Sequence, residues 1–241
     1  MAVRVYEGNC LYQMTWLAPS SVQLVLTDLP YGTTYAPWDS VIPLEPLWAA
    51  WLRVLKPDGA IVLTASQPFT SQLVMSRPDL FRCEWVWDKV NAANFANANR
   101  QPLKTHESVL VFSQKQPLYF PQKTQGKPNH AQGTKNKPRN CELQLIASRA
   151  PDDLSGMKHP KSIQVFPKHS SQSKLHPTQK PVELFEYLIR TYTHEGDTVL
   201  DCCAGSGTTG EAARRSGRDA ILIESDPRYV EVIRNRLGTT A

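Results

Sequence analysis

The stretch DTVLDCCAGSGTTG, residues 197–210, decides how this chain folds. It begins as a short apolar strand, turns through Gly205 and Gly207, and leads into a helix; the next strand, residues 219–223, ends at Glu224. Glycines let the backbone approach a ligand, and the start of the helix offers free N–H groups to a negative group. An acid at the end of the following strand can accept hydrogen bonds from ribose hydroxyls. The stretch therefore predicts a nucleotide-binding unit.

The type of nucleotide stays open at this point. The run GSGTTG, residues 205–210, also fits the GxGxxG pattern of dinucleotide sites, so an NAD(P)-dependent oxidoreductase is one interpretation. Only 31 of the 241 residues follow Gly210, however, which is too few for the remaining strands of a dinucleotide-binding sheet. The missing strands must then come from the N-terminal half of the chain.

The N-terminal half contains a second strand followed by a polar turn. Residues 22–26 are a short apolar run, and Asp28-Leu29-Pro30-Tyr31 follows it. The acid offers acceptors, the proline stiffens the turn, and the tyrosine offers a flat face, a set that suits a planar substrate with an exocyclic amine. An ordinary turn is the alternative for four residues alone. If both turns end strands of one sheet, they meet at the edge where open α/β sheets bind ligands.

Length and composition are those of a globular protein: 41% of the residues are hydrophobic and 20% are charged. No apolar run approaches the roughly 18 residues of a membrane span, and no signal peptide is recognisable at the N-terminus. The five cysteines form no CxxC pair and their odd number argues against a disulfide framework, so a reducing cytoplasm is expected. The histidines form no HExxH motif, and no metal is expected.

The positive charge is concentrated in one segment. Residues 113–180 contain twelve Lys and Arg against three Asp and Glu, whereas the whole chain has a net charge of +5. Such a segment is typical of an insert that contacts nucleic acid, and a solvated lysine-rich loop is the alternative. Residues 114–175 show little periodicity and predict a mobile insert. The connection at residues 88–107 is rich in Asn and basic residues and predicts a functional loop rather than a hairpin.

Several motifs together resemble one family. Residues 28–31 resemble the DPPY motif of amino-group DNA methyltransferases, and residues 201–207 resemble their DxFxGxG motif. HPTQKP at residues 176–181 is similar to a third motif, and the order of catalytic motif, basic insert and cofactor motif is that of the β class. THESVLVF at residues 105–112 and WVWDK at residues 85–89 also look like this family, particularly its phage and prophage branch.

The resemblance implies an α/β fold. We expect a Rossmann-like methyltransferase sheet, mostly parallel and circularly permuted in strand order, with a basic, loop-rich target-recognition insert. Residues 1–112 would form the N-terminal part with the catalytic motif, residues 113–175 the insert, and residues 176–241 the C-terminal part with the cofactor motif.

The resemblance also implies the site residues. The catalytic residues would be Asp28, Leu29, Pro30 and Tyr31. The cofactor would be S-adenosylmethionine, with S-adenosylhomocysteine as product and without a metal. The residues expected to bind it are Asn9, Cys10, Asp28, His176, Thr178, Gln179, Lys180, Asp201, Cys202, Cys203, Ala204, Gly205, Ser206, Gly207, Thr208, Glu224 and Ser225. Those expected to bind DNA are Lys89, Asn94, Arg100, Lys123, Lys127, Lys135, Lys137 and Arg139.

The implied reaction is methylation of the N6 amine of a flipped adenine in double-stranded DNA, with cytosine-N4 methylation as the alternative. A methyltransferase acting on protein glutamine or RNA, and an inactive DNA-binding protein, are rival interpretations. A homodimer and a cognate restriction endonuclease are partners that the resemblance allows. The location would be the cytoplasm of a bacterial or phage-infected bacterial cell.

The chain departs from the family pattern at three positions. Leu29 replaces the first proline of DPPY, Cys203 replaces a phenylalanine, and Asn9 replaces an aspartate. The first change keeps the backbone carbonyl, while the other two alter expected contacts to the cofactor's methionine and adenine portions.

Overall fold

The computed structural model describes residues 1–33, 39–127, 155–168 and 179–239. The chain divides into two compact units, of which the first comprises Met1–Phe120 and Ser162–Ala241 and the second comprises Pro121–Lys161. The sequence-predicted boundaries at 112 and 175 remain a prediction.

Among its described residues, the first unit contains eight strands in one sheet. The strands are β1 (Val3–Glu7), β2 (Val22–Asp28), β3 (Leu55–Ala65), β4 (Phe81–Ala93), β5 (Lys104–Phe112), β8 (Ile163–Val165), β9 (Thr198–Asp201) and β10 (Asp219–Glu224). The helices are α1 (Cys10–Met14), α2 (Leu44–Val54), α3 (Phe69–Ser76), α4 (Val182–Tyr192), α5 (Thr208–Ser216) and α6 (Pro227–Leu237), and a 3₁₀ turn spans Phe95–Asn97.

The strand order is β1-β10-β9-β2-β3-β5-β4-β8. Among the described strands, neighbours run parallel except β5, which is antiparallel to both β3 and β4. Strand β2 pairs with β9, with Leu24 opposite Val199 and Val25 opposite Leu200. Because these neighbours are parallel, the turns that follow them lie at the same edge. The mostly parallel sheet and the adjacency of the two turns are confirmed.

Helices cover both faces of the sheet. Alternate residues of β3 supply the two cores: Ile61 and Leu63 pack with helices α1 to α3, whereas Ala60 and Val62 pack with α4 to α6. A sheet buried on both faces has near-continuous apolar strands, as β2 shows with six fully buried positions in a row. Ligands of such a sheet bind beyond the carboxyl ends of its strands.

Two features of local structure differ from what the sequence pattern favours. Lys56-Pro57-Asp58-Gly59 has the composition of a turn but lies within β3. Half of the expected functional loop at residues 88–107 is strand, because β4 and β5 form an antiparallel hairpin whose pairing extends to Ala93 and Lys104. Lys89 and Glu107 form an ion pair inside this hairpin, so the strands continue where the apolar pattern ends.

The second unit contains a short antiparallel pair, β6 (Thr124–Gln125) with β7 (Met157–Lys158). Residues 128–154, which form most of the predicted insert, lie outside the described residues. No helix in the described ranges is long and apolar enough to cross a membrane.

Candidate active site

A cavity of about 270 Å³ lies at the carboxyl ends of β1, β10, β9 and β2. Most of the predicted cofactor residues line it, namely Asn9, Cys10, Asp28, Gln179, Lys180, Asp201, Cys202, Cys203, Ala204, Gly205, Ser206, Thr208, Glu224 and Ser225. The predicted catalytic residues Leu29 and Pro30 line the same cavity. The structure therefore brings the two turns, which are far apart in sequence, to one site.

Sequence reasoning missed six residues of the lining: Gly8, Ser40, Ile42, Phe185, Asp226 and Tyr229. Gly8 and Asp226 directly adjoin predicted residues at the ends of β1 and β10, so the strand ends could have indicated them. Ser40, Ile42, Phe185 and Tyr229 belong to other segments, and no local pattern marked them.

Asp201 holds the glycine turn in place. Its Oδ1 accepts hydrogen bonds from Thr27 Oγ1 at 2.7 Å and from the Cys203 backbone N–H at 3.1 Å, and its Oδ2 accepts one from Thr209. Burial raises the pKa of Asp201 to about 6, although these hydrogen bonds oppose the rise. The carboxylate is thus bound by the protein itself, and it joins the turn after β9 to β2.

Glu224 secures the same turn from the other side. Its Oε2 accepts from the Gly205 N–H at 2.7 Å, and its Oε1 accepts from the Asp226 N–H at 2.9 Å. A carboxylate has about four acceptor positions, so Glu224 retains the capacity to accept from ribose hydroxyls while it holds the turn.

Two predicted cofactor residues have a structural task. Gly207 does not line the cavity: its φ is +77°, and a Cβ there would lie 3.2 Å from Ile233 Cγ1, so this glycine permits the turn and the packing of α6. The Asn9 side-chain oxygen accepts from the Leu11 N–H at 2.9 Å and caps α1, although Asn9 lines the cavity.

The cavity suits a ligand with polar and apolar parts. Ser206 Oγ is buried and has no hydrogen-bond partner among the described residues, so a ligand acceptor or donor can satisfy it. Apolar side chains of Leu29, Ile42 and Phe185 share the lining with the carboxylate of Glu224. S-adenosylmethionine, with its ribose, adenine and methionine portions, fits this mixture of residues.

The Asp28 carboxylate is surrounded by hydrogen-bond donors. Its Oδ1 accepts from Tyr31 Oη at 2.7 Å and from the Thr64 hydroxyl, and its Oδ2 accepts from Lys180 Nζ. The Tyr31 ring stacks on Phe69, with centroids 5.4 Å apart, and Tyr31 does not line the cavity. Burial, with the charges of Asp28 and Glu107, raises the pKa of Tyr31 well above its usual value, so this hydroxyl is a donor.

The ring of Tyr31, expected to offer a flat face for stacking on a planar substrate, is therefore partly covered by the protein itself. Phe69 packs against the ring and the Lys180 ammonium lies 5.8 Å from its centroid. The hydroxyl orients the carboxylate of Asp28, a role that the four-residue motif alone did not indicate.

A row of charges continues behind Asp28. Lys180 Nζ lies 3.7 Å from Glu107 Oε2, and Glu107 Oε1 accepts from Lys89 Nζ at 3.1 Å. The side chains of Lys180 and Lys89 are only 8% and 5% exposed. Although burial opposes the charged form of Lys180, the charges of Asp28 and Glu107 outweigh it and raise its pKa.

The prediction that Lys89 binds DNA is wrong for this structure. The alternation of β4 turns its side chain into the unit, where it pairs with Glu107. Asn94 and Arg100 are exposed in the hairpin connection, and Lys123 and Lys127 are exposed in the second unit. The other predicted positions, His176, Thr178, Lys135, Lys137 and Arg139, lie outside the described residues.

Within the part of the chain that the structure describes, no group of three or more His, Cys, Asp or Glu side chains could hold a metal ion.

Comparison with known proteins gives consistent matches. Residues 22–235 match the family of N6/N4 methyltransferases described as "DNA methylase". The Type II methyltransferase M1.MboII of Moraxella bovis is 28% identical over 251 residues, which cover 94% of this chain and 93% of the relative.

Solved structures share the fold. The M1.HpyAVI–SAM complex is 23% identical with a TM-score of 0.64, and the match covers 98% of this chain and 100% of that chain. The cytosine-N4-specific PvuII DNA methyltransferase is 19% identical with a TM-score of 0.67, and the match covers 98% and 86%. With the family match over most of its length, this chain belongs to the N6/N4 family of DNA methylases.

Proposed function

We propose that this protein transfers a methyl group from S-adenosylmethionine to the N6 amine of a flipped adenine in double-stranded DNA. The observation that carries the proposal is the common cavity of the Asp28 and Gly205 turns at the ends of the neighbouring strands β2 and β9. A methyl donor against the glycine turn and an amine at Asp28 can then approach each other within one cavity.

The chemistry required of the chain is positioning. S-adenosylmethionine supplies an electrophilic methyl group on sulfur. The lone pair of the adenine amine is delocalised into the ring, which makes it a poor nucleophile. The Asp28 carboxylate and the Leu29 carbonyl would accept its two N–H bonds, favour a tetrahedral nitrogen and aim the lone pair at the methyl group. Tyr31 and Thr64 fix the carboxylate for this role.

A base in a duplex cannot reach the cavity, so it must leave the stack at a cost of a few kcal/mol. Phosphate contacts from exposed basic residues would offset that cost. Arg100, Lys123 and Lys127 are the described candidates among the predicted basic residues.

Adenine is favoured over cytosine because the catalytic motif begins with Asp28 rather than serine, as the family resemblance implies. Cytosine-N4 methylation is the second candidate, because the cytosine-N4-specific PvuII enzyme shares the fold. Mass spectrometry of nucleosides from DNA treated with enzyme and cofactor separates them: N6-methyladenine supports the proposal, and N4-methylcytosine alone refutes it.

Four further features stay proposals: a homodimer, a cognate restriction endonuclease, a phage or prophage origin and a bacterial cytoplasmic location. Size measurement in solution tests the first. Long-read detection of modified bases in cells that express the gene would identify the recognition sequence.

The decisive variant is Asp28→Ala. We expect a loss of at least about 1,000-fold in methyl transfer, because the acceptor that holds the amine disappears while the residues of the glycine turn are unchanged. Transfer of labelled methyl groups to DNA measures the rate, and calorimetry measures cofactor affinity. Asp79→Ala, an exposed surface change, is the matched control and should behave as wild type. Undiminished activity of the Asp28 variant would refute the assigned role.

A further inference from the structure

The proposed function requires an acceptor at Asp28 that the structure shows to be engaged. Oδ1 receives the Tyr31 and Thr64 hydroxyls, and Oδ2, the remaining oxygen, receives the Lys180 ammonium. A cation on Oδ2 weakens it as an acceptor and repels the positive charge that develops on the amine nitrogen during methyl transfer. Lys180 therefore needs another position while the target base is bound.

Glu107 offers such a position. Its side chain is 13% exposed and its Oε1 is held by Lys89, which fixes the carboxylate. Its Oε2 is buried, and no described residue donates a hydrogen bond to it. Lys180 Nζ is the nearby cation, 3.7 Å away, which is an ion-pair distance but too long for a hydrogen bond.

We propose that Glu107 is a positioning residue for methyl transfer, whose Oε2 takes up the Lys180 ammonium when the target amine donates to Asp28 Oδ2. This inference rests on the proposed function. The shift required is about 1 Å, from 3.7 Å to ordinary hydrogen-bond distance. It exchanges one carboxylate partner of Lys180 for another, so the ammonium is never left without a counter-ion.

The charges of the carboxylates and ammonium groups balance before and after Lys180 moves from Asp28 to Glu107. Asp28 and Glu107 face Lys180 and Lys89, so each carboxylate has an ammonium in the resting arrangement. After the shift both ammonium groups lie on Glu107, and the negative charge of Asp28 faces the amine. Glu107 thus controls whether the acceptor is neutralised or free, without itself contacting the base.

Other groups face the same space. Tyr31 follows β2 and Thr64 belongs to β3, and both donate to Asp28. Lys104 on β5 donates to Ser66; burial and the charge of Lys89 lower its pKa, and the charge of Glu107 opposes this lowering. Asp201 at the end of β9 is influenced by the charge of Asp28. The carboxylates raise the pKa of Lys180 despite its burial, so removal of the charge of Glu107 must lower that pKa.

The test uses Glu107→Gln in the full chain. Three quantities are measured: the single-turnover rate of methyl transfer to DNA from about pH 7 to about pH 10, the affinity for S-adenosylmethionine, and the melting temperature. At pH 7 we expect a rate about 10- to 100-fold below wild type, because Lys180 stays on Asp28. Loss of the Glu107 charge lowers the pKa of Lys180 relative to wild type, so the deficit should shrink towards the alkaline end of the range, since the neutral amine no longer cancels the charge of Asp28.

Cofactor affinity should remain within about threefold of wild type, because Glu107 does not line the cavity. Glu84→Gln on β4, an exposed carboxylate, is the matched control and should show neither the deficit nor the recovery. An unchanged rate at pH 7, or an equal deficit at every pH, would overturn the inference.

Should Glu107→Gln fail to fold because Lys89 loses its partner, the double variant Lys89→Met/Glu107→Gln removes that ammonium as well. The same recovery with pH is expected, because Lys180 still lacks its second position. A wild-type protein that does not methylate DNA would instead contradict the proposed function, so the two failures are distinguishable.

Discussion

The two halves of the cavity are built differently. At the glycine turn, the carboxylates of Asp201 and Glu224 accept hydrogen bonds from neutral hydroxyl or backbone N–H groups of the protein. At the other half, Asp28 and Glu107 face the ammonium groups of flexible lysine side chains. The first arrangement is preformed for the cofactor, whereas the second has to rearrange when a base arrives.

The largest expected effect that tests the difference between the two halves of the cavity is at Asp201. It is the dependence of the free energy of unfolding on pH. Burial raises the pKa of Asp201 to about 6 in the folded state. Between about pH 4 and pH 6 the folded protein therefore binds more protons than the unfolded chain. As a result, this carboxyl lowers the free energy of unfolding as the pH rises through that range. Relative to Asp201→Asn, wild type should lose about 3 kcal/mol of unfolding free energy between about pH 2 and about pH 8, of which about 2 kcal/mol falls between pH 4 and pH 6. Urea unfolding of both proteins at several pH values measures it.

Cofactor affinity of wild type and Asp201→Asn is measured under the same conditions as their stability. The contradicting outcome concerns the stability difference. If the stability difference between wild type and Asp201→Asn is the same at pH 4 and pH 6, the carboxyl is not buried as described and the glycine-turn half is not preformed.

A smaller effect is expected at Gly207. Gly207→Ala places a Cβ at a φ of +77° and 3.2 Å from Ile233, which should lower the free energy of unfolding by about 1–3 kcal/mol and weaken cofactor binding. Gly238→Ala is the matched control, because its φ is +64° but no atom lies within 4 Å of the added Cβ. Equal losses in the two variants would show that backbone strain alone matters and that packing on α6 does not.

The smallest effect concerns lysines outside the cavity. Because Lys89 is paired with Glu107 inside the first unit, we expect the proposed phosphate contacts from exposed residues such as Lys123 and Lys127. Lys123→Gln and Lys127→Gln should each reduce the slope of log affinity for DNA against log salt by about 1, whereas Lys89→Gln should leave the slope unchanged. A reduced slope in the Lys89 variant would show that this lysine reaches DNA after all.

Sequence reasoning identified the two turns and their common sheet because each turn follows an apolar strand and carries recognisable residues. It could also infer that residues 22–26 and 197–200 belong together, since too little chain follows Gly210 to complete a sheet otherwise. Most residues that were expected at the glycine-turn half line the cavity, whereas Gly207, which was assigned to the ligand, packs against Ile233.

The acceptor half was harder to predict. Lys89 and Glu107 carry charges that usually face solvent, so the pattern favoured DNA contact for the lysine. Only the pairing of β4 with β5 turns both inward, and that pairing extends past the apolar residues. The position of Lys180 on Asp28 depends on contacts between residues 152 positions apart, which no local pattern encodes.

The order of the strands also has a consequence for synthesis on the ribosome. Thr27 and Asp201 are joined by a 2.7 Å hydrogen bond although 174 positions separate them, and β9 inserts between β10 and β2 only after most of the polypeptide has been made. A nascent fragment that ends before β9 contains Asp28 and Leu29, which are proposed to hold the target base. It lacks the glycine turn that would bind S-adenosylmethionine. The cofactor half of the cavity therefore forms only after β9 and β10 have been synthesised, and a fragment that ends before β9 lacks it.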